Sequence, residues 1–293
     1  MTPEISVIMS VYNGMPYLRQ ALDSIRDQTF TDFEFIIHDD GSTDGTLSLL
    51  ESYDDDRIML LKSDVNIGLS KALNRCIEKT SGTYIARMDA DDISDPTRLE
   101  KQLAMMRDDL SIGVLFTCYR LIDQDGKTTQ DIPIPLSPEA IYMELFFNNC
   151  LVHGSSMIRK ALLDEEGGYN ENYEAAQDYE LWNRLKNRAR FMMLPEILYA
   201  SRSHPASISR KQLDKQTRFY WKQYCLNLDY LTNARSERWK LAYQDLFRAI
   251  QHTEVEQSVQ QRAEGEMRGM LVRICAEAPS FLDNALLEKA MET

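Results

Sequence analysis

The sequence predicts an α/β fold: a mainly parallel sheet flanked by helices, followed by a C-terminal helical extension. Short apolar runs alternate with amphipathic segments from residue 5 to residue 88, polar clusters follow three of these runs, and the chain changes character near residue 211. Alternating strands and helices favour a parallel sheet, because each helix carries the chain back across the sheet. We therefore predict one α/β domain over residues 1–210 and a helical extension over residues 211–293.

Four apolar runs rich in β-branched residues predict the strands of the first half, because such runs suit buried parallel strands. These strands cover residues 5–11, 33–38, 58–62 and 83–88. Apolar residues at helical spacing predict three helices between them, over residues 17–29, 46–53 and 69–80. Thr43 and Asp44 can cap the second of these helices, and Gly82 is expected to close the third.

The later chain has weaker patterns. Strands are predicted over residues 114–122 and 191–199, and helices over residues 138–147 and 179–187. Beyond residue 211, apolar residues recur at helical period, as in Trp239, Tyr243, Leu246 and Ile250. Basic residues lie between them, so a helix on a membrane surface is one reading, but packing on the protein's own domain is favoured.

Composition excludes several classes of protein. Lys and Arg number 33 against 46 Asp and Glu, and the net charge of −13 argues against a nucleic-acid partner. No apolar run reaches the roughly 18 residues that cross a bilayer, and the N-terminus lacks the layout of a secretory signal. The five cysteines are scattered without a Cys-x-x-Cys pair, which predicts free thiols in a reducing cytoplasm.

Polar clusters follow three predicted strands, where ligands bind in sheets of this kind. They are residues 10–13, residues 39–42 and residues 89–91. Asp89 and Asp91 stand one residue apart at a strand end, which suits a divalent cation shared with substrate phosphates, although a solvated turn explains the same pattern. Asp40 is a candidate acceptor of hydrogen bonds from a nucleobase or ribose, or an ordinary turn residue.

An ordered series of motifs resembles the family 2 glycosyltransferases, a large inverting group with the GT-A fold. It begins with PEISVIMSVYN at residues 3–13 and continues with QTF at 28–30, FE at 33–34, DDGSTD at 39–44, NIG at 66–68, ALN at 72–74, GTYIA at 82–86, DADD at 89–92 and PTRL at 96–99. HGSSM at 153–157, QDYELW at 177–182 and residues 199–209 resemble the family's acceptor half. The resemblance covers residues 3–210.

The resemblance implies three groups of site residues. The donor-binding group lines a nucleotide-sugar pocket: Ser10, Tyr12, Asp40, Asp89 and Arg202. The metal group holds Mn²⁺ or Mg²⁺: Asp91 and His204. Asp178 takes the place of the catalytic base. Without the resemblance, an N-cap or a first-turn acid favoured by the helix dipole is the better reading, and the resemblance favours the base. A surface loop accounts equally well for Arg202 and His204.

The implied activity is inverting transfer of a sugar from a nucleotide donor, with UDP the favoured nucleotide, to a hydroxyl of a glycan or lipid-linked glycan. Such transfer needs a base for the hydroxyl and a cation for the departing diphosphate. The implied setting is bacterial cell-surface polysaccharide assembly, in the cytoplasm or peripherally at the inner face of the plasma membrane. Homo-oligomer formation is left open.

Two alternatives use the same residues. A sugar nucleotidyltransferase shares an α/β sheet and a metal requirement, but the loop at residues 12–16 lacks the Gly-rich basic character typical of that class. A catalytically weakened nucleotide-sugar-binding subunit is the other, because Gln177 stands where the family usually has an acid.

Overall fold

The computed structural model describes residues 2–133, 135–205, 207 and 213–232. Within these residues nine strands are present: β1 (Ile5–Val11), β2 (Phe33–Asp39), β3 (Ile58–Lys62), β4 (Tyr84–Arg87), β5 (Ile93–Ser94), β6 (Ile112–Ile122), β7 (Thr128–Ile132), β8 (Met157–Arg159) and β9 (Arg190–Arg202). The helices are α1 (Leu18–Arg26), α2 (Thr46–Glu51), α3 (Leu69–Ile77), α4 (Arg98–Asp108), α5 (Pro138–Glu144), α6 (Lys160–Glu166), α7 (Gln177–Leu185) and α8 (Leu213–Thr232). A 3₁₀ turn covers His153–Ser155.

The strands form one sheet in the order β3-β2-β1-β4-β8-β6-β9-β5, with β7 paired to β6. Strands β3, β2, β1 and β4 run parallel to one another, and β6 runs parallel to β9. Strand β8 is antiparallel to both β4 and β6. The predicted α/β architecture with a mainly parallel sheet is confirmed.

Two apolar clusters pack against opposite faces of the sheet, because successive side chains of a strand point to opposite sides. On β1, Val7 and Met9 belong to one cluster and Ile8 to the other. The first cluster takes its helical residues from α1, α2 and α4, and the second from α3, α5, α6 and α7. Trp182 of α7 is fully buried in the second cluster.

Several local predictions need correction. Helix α3 ends at Ile77, and Gly82 does not close it. A Cβ on Gly82 would lie 2.7 Å from the backbone N of Ser6, so the glycine permits close contact with β1. Asp44 does assist α2, since its Oδ1 accepts a hydrogen bond from the Thr46 backbone N–H at 2.9 Å. Helices α4 and α6 and strands β5, β7 and β8 were not predicted.

The pairing of β5 with β9 positions the acidic turn that follows β4. Ile93 lies opposite Ala200, and Ser94 lies opposite Tyr199, in antiparallel register. Residues 88–92 connect β4 to β5, so this pairing places the turn beside the end of β9. Arg202 and His204 lie at that end of β9 or just beyond it.

The chain divides into two units, of which the first, Met1–Gln223, holds the sheet. The described part of the second unit is the helical segment 224–232. A boundary at residues 210–211 stays a prediction, and the helical pattern around Trp239 lies outside the described residues. In the described part of the chain, no helix is both long and apolar enough to span a bilayer.

Candidate active site

The acidic turn at residues 89–92 begins with a carboxylate held by a buried arginine. Arg87 and Asp89 are two residues apart at the end of β4, so their side chains lie on one side. Arg87 Nη2 donates to Asp89 Oδ1 at 2.6 Å, and Arg87 is only 1% exposed. Burial raises the pKa of the Asp89 carboxyl, and the Arg87 charge opposes that rise. The Asp89 side chain is 30% exposed, so solvent reaches part of this carboxylate.

Asp91 and His204 meet at the same edge. Asp91 Oδ2 lies 2.9 Å from His204 Nε2, within hydrogen-bond distance. The imidazole is buried and packs against the Tyr17 ring, with ring centroids 4.6 Å apart. One third of the Asp91 side chain is exposed, so this carboxylate can be approached from solvent.

Arg202, at the end of β9, holds the acidic turn in place through hydrogen bonds. Its Nε donates to the Asp91 carbonyl at 2.8 Å, and its backbone N–H donates to Asp92 Oδ1 at 2.7 Å. Its Nη2 donates to Gln20 Oε1 at 2.6 Å, and its Nη1 lies 3.2 Å from the carbonyls of residues 123–124. Every guanidinium nitrogen therefore has a protein acceptor, which indicates a positioning role for Arg202.

Tyr199 and Gly154 pack against the acidic turn at Asp89. Tyr199 Oη accepts a hydrogen bond from the Asp89 backbone N–H at 3.3 Å and donates one to the Asp92 carboxylate. Burial raises the pKa of Asp92 well above its usual range, and the charges of Asp91 and Asp89 add to this. A Cβ on Gly154 would lie 1.8 Å from Tyr199 Oη and 2.8 Å from Asp89 Oδ2, so only glycine fits here.

The residues around Asp91 fit a divalent cation that is shared with a substrate. Asp91 supplies a carboxylate oxygen and His204 an imidazole nitrogen at one point. Among the described residues, no group of three or more His, Cys, Asp or Glu side chains converges on a metal site. Cations such as Mg²⁺ are commonly held by one or two carboxylates with phosphates and water completing the shell, so two protein ligands suffice.

Asp178 lies in the first turn of α7, held at both carboxylate oxygens. Oδ1 accepts from the Tyr179 backbone N–H at 2.9 Å, and Oδ2 accepts from Asn149 Nδ2 at 2.8 Å. Burial raises the pKa of Asp178, the Asn149 hydrogen bond lowers it, and the negative charge of Asp89 raises it again. The Asp89 and Asp178 carboxylates therefore interact electrostatically, and each charge disfavours the other.

Ala176, two residues before Asp178, is held in an unusual backbone conformation. Ala176 has φ +50°, in the left-handed region that costs a non-glycine residue about 1–2 kcal/mol. Gln216 of α8 accepts a hydrogen bond from the Ala176 backbone N–H at 3.1 Å. Backbone strain of this kind persists where surrounding contacts enforce it, often at functional sites.

The predicted nucleotide pocket lies at the ends of β1 and β2. Asp40 N–H donates to the Val11 carbonyl at 2.8 Å, which places Tyr12 and Asp40 at the same edge. Tyr12 is half exposed, and Ser10 is partly buried. The Asp40 carboxylate is buried and accepts from the backbone N–H groups of residues 67–68 at 2.8 and 3.0 Å. Asp40 therefore holds the loop at residues 67–68 in place, and its contact with a base stays a prediction.

Two loops of the pocket are joined by side chains. Asn13 Oδ1 accepts from the Thr43 backbone N–H at 2.8 Å, and Ser42 Oγ accepts from the Asn13 backbone N–H at 2.9 Å. Thr46 Oγ1 accepts from the Gly14 N–H at 2.8 Å. These bonds join the loop after β1 to the loop after β2 at the edge where the nucleotide pocket is predicted.

Sequence reasoning missed the residues that support the acids: Arg87, Asn149, Gly154, Tyr199 and Gln216. Arg87 carried a usable signal, since a lone arginine ends an apolar strand two residues before Asp89. Asn149 and Gln216 carried none, because their partners are distant in sequence. His153 is a core residue: its Nε2 lies 2.6 Å from Tyr169 Oη, and burial holds its pKa well below the usual range.

We expect Gly154→Ala to weaken binding of UDP, the nucleotide that the resemblance favours, by at least about tenfold. The added methyl would displace Tyr199 or Asp89 from the turn. Isothermal titration calorimetry with UDP and Mn²⁺ measures the change. Gly113→Ala is the control, because its Cβ would meet Ala189 at 2.3 Å, where it costs stability and not site geometry. Equal UDP affinity in Gly154→Ala and the wild type would contradict this packing.

Comparison with known proteins identifies the family. The model of glycosyl transferase family 2 matches residues 6–167. The putative glycosyltransferase EpsE of Bacillus subtilis is 34% identical over 215 residues, covering 71% of this chain and 76% of EpsE. The O-antigen biosynthesis glycosyltransferase WbnJ of Escherichia coli is 35% identical over 216 residues, covering 71% of this chain and 83% of WbnJ.

Solved structures share the fold. Residues 1–349 of S. aureus TarS in complex with UDP-GlcNAc superpose with a TM-score of 0.60 at 21% identity, covering 75% of this chain and 66% of that one. The UDP complex of the same protein gives a TM-score of 0.58, covering 77% of this chain and 65% of that one. The predicted GT-A fold is confirmed. With its ordered motifs, its sheet and the matched family model, the chain belongs to glycosyl transferase family 2 and is a glycosyltransferase.

Proposed function

We propose that this glycosyltransferase moves a sugar from a UDP-linked donor to a hydroxyl of a glycan or lipid-linked glycan, with inversion at the anomeric carbon. The observation that carries the proposal is that Asp91, one third exposed, meets the buried His204 in the acidic turn, while the charge of Asp89 in the same turn acts on the partly buried Asp178. One end of such a site suits a diphosphate and its cation, and the other suits a hydroxyl that must lose a proton.

The base is Asp178. A sugar hydroxyl is a poor nucleophile, so a carboxylate takes its proton as attack proceeds. The hydroxyl oxygen forms a bond to the anomeric carbon, and the bond from that carbon to the diphosphate oxygen breaks. UDP leaves with the bonding electron pair, and the proton passes to the Asp178 carboxylate. Attack opposite the departing group inverts the anomeric configuration.

Asp91 and His204 would hold Mn²⁺ or Mg²⁺, and Asp89 would lie near the ribose and diphosphate. A cation bound there would stabilise the negative charge that develops on the departing diphosphate. Arg202 acts on the same group indirectly, because it fixes the Asp91 carbonyl and the Asp92 carboxylate. Tyr12 and Ser10 line the nucleotide pocket beside Asp40.

The relatives support the donor and the setting. The TarS neighbours were solved with UDP and with UDP-GlcNAc, and WbnJ is named for O-antigen biosynthesis. We therefore favour a UDP-sugar donor and a role in cell-surface polysaccharide biosynthesis. A cytoplasmic location, peripheral at the inner face of the plasma membrane, fits that role. Peripheral membrane contact and homo-oligomer formation stay predictions.

We expect Asp178→Asn to lower the rate of UDP release by about 10²–10⁴-fold, which is the usual contribution of general base catalysis. UDP release from UDP-GlcNAc, UDP-glucose and UDP-galactose with Mn²⁺ is measured, while calorimetry follows UDP affinity, which should change little. Asp164→Asn is the control, since Asp164 is half exposed and pairs with Lys160 on α6.

Turnover by Asp178→Asn at the wild-type rate would defeat the base assignment. A wild-type protein that binds UDP yet releases none from any of these donors would favour the catalytically weakened binding subunit. Pyrophosphate release from UTP and a sugar phosphate would favour a nucleotidyltransferase.

We expect Asp91→Ala to weaken UDP binding in the presence of Mn²⁺ by about tenfold or more, and to leave binding in EDTA unchanged. The reason is that the lost carboxylate is a cation ligand and not a nucleotide contact. Calorimetry with UDP, with and without Mn²⁺, measures both values. Asp125→Ala, in the exposed turn before β7, is the control. Equal affinities with Mn²⁺ and with EDTA in the wild type would contradict the metal site.

A further inference from the structure

We infer that Asn149 is a positioning residue for Asp178, holding the carboxylate in the orientation that receives the acceptor proton. This inference rests on the proposed function, because it assigns a role within the same site. Asn149 lies between α5 and the 3₁₀ turn at residues 153–155, outside the helix that carries Asp178. No motif in the sequence marks it.

The geometry fixes both oxygens of the carboxylate. Asn149 Nδ2 donates to Oδ2 at 2.8 Å, and the Tyr179 backbone N–H donates to Oδ1 at 2.9 Å. Two donors from different elements leave the carboxylate little freedom to rotate. Each oxygen keeps a further lone pair with which to accept a proton.

The loop that carries Asn149 is itself anchored. The Asn148 backbone N–H donates to the Glu144 carbonyl at 2.7 Å, and Tyr220 Oη donates to the Phe147 carbonyl at 2.5 Å. The amide therefore projects from a fixed backbone. A donor held in this way orients its partner without rearrangement during the reaction.

Only the nitrogen of the Asn149 amide has a hydrogen-bond partner among the described residues. Its Oδ1 is buried and has no hydrogen-bond partner among the described residues. A buried carbonyl without a partner costs stability, so an apolar side chain of similar size would serve packing better. In the described structure, the hydrogen bond to Asp178 is the interaction that an apolar side chain at this position could not make. We therefore assign Asn149 a role in the reaction.

The hydrogen bond from Asn149 opposes the other influences on the protonation of Asp178. Among the described residues, the negative charge of Asp89 acts on Asp178, and Asp178 in turn acts on the Tyr169 phenol. Burial and Asp89 both favour the protonated carboxyl, whereas the Asn149 hydrogen bond favours the ionised form that can act as a base. Loss of the amide therefore raises the pKa of Asp178.

The test compares Asn149→Leu and Asn149→Asp with the wild type and with Asp178→Asn. Asn148→Leu is the matched control, because Asn148 is the exposed neighbouring residue of the same type. UDP release with Mn²⁺ is measured from pH 5 to pH 9, using whichever of UDP-GlcNAc, UDP-glucose or UDP-galactose is turned over fastest. UDP affinity and the unfolding midpoint are measured for each variant.

We expect Asn149→Leu to lower kcat about ten- to hundredfold, the worth of a hydrogen bond to a charged group, with UDP affinity and the unfolding midpoint nearly unchanged. The acidic limb of its pH profile should move to higher pH. Asn149→Asp, which is nearly isosteric and adds a like charge, should move that limb further in the same direction.

A purely structural Asn149 would lower the unfolding midpoint and reduce the rate equally at every pH, which would overturn the inference. A wild-type rate and pH profile in Asn149→Leu would overturn it as well, while a large loss in Asp178→Asn left the proposed function standing. A wild-type rate in Asp178→Asn would instead remove the proposed base, and the role of Asn149 with it.

Discussion

The contact of Arg202 with the acidic turn is the constraint on which the site depends. The end of β9 and the turn after β4 are about 110 residues apart in sequence, and the guanidinium joins them through the Asp91 carbonyl. The same group also contacts Gln20 of α1 and the carbonyls of residues 123–124. The backbone of the same residue reaches Asp92. A fork of five donors suits this task, because several acceptors from different elements are satisfied by one rigid group. The two-residue pairing of β5 with β9 also positions the acidic turn beside the end of β9.

The site also concentrates negative charge. Asp89, Asp91, Asp92 and Asp178 share one region, and burial raises the pKa of three of them, Asp89, Asp92 and Asp178. Arg87 lies beneath this cluster, where it offsets part of the repulsion. Like charges held close together in a partly dry site destabilise the folded protein unless a cation joins them. In the proposed function, this arrangement costs stability and provides a place for a cation and a diphosphate.

Much of the fold followed from local patterns. The strands β1 to β4 and the helices between them were predicted within a few residues, because their apolar periodicity is strong. The acids at the strand ends were found for the same reason, since Asp40, Asp89 and Asp91 follow strands directly. Strand β8 has three residues and β5 has two, so neither shows a hydrophobic period in the sequence.

The site residues were harder to predict. Arg202 and His204 were identified through the resemblance. The protein acceptors at each guanidinium nitrogen of Arg202 could not be predicted from the sequence. Asn149 and Gln216 depend on contacts with residues 29 and 40 positions away, and no local rule reports such contacts.

The central claim is that the Asp91–His204 pair and Asp178 serve opposite ends of one reaction. A crystal structure with UDP and Mn²⁺, using the anomalous signal of manganese to locate the ion, tests it most directly. The account predicts manganese bound to Asp91 and His204 and to the diphosphate of UDP, with the Asp178 carboxylate facing the terminal phosphate across an open space the size of a sugar. Manganese at other side chains, or a UDP diphosphate separated from Asp178 by protein, would contradict the account.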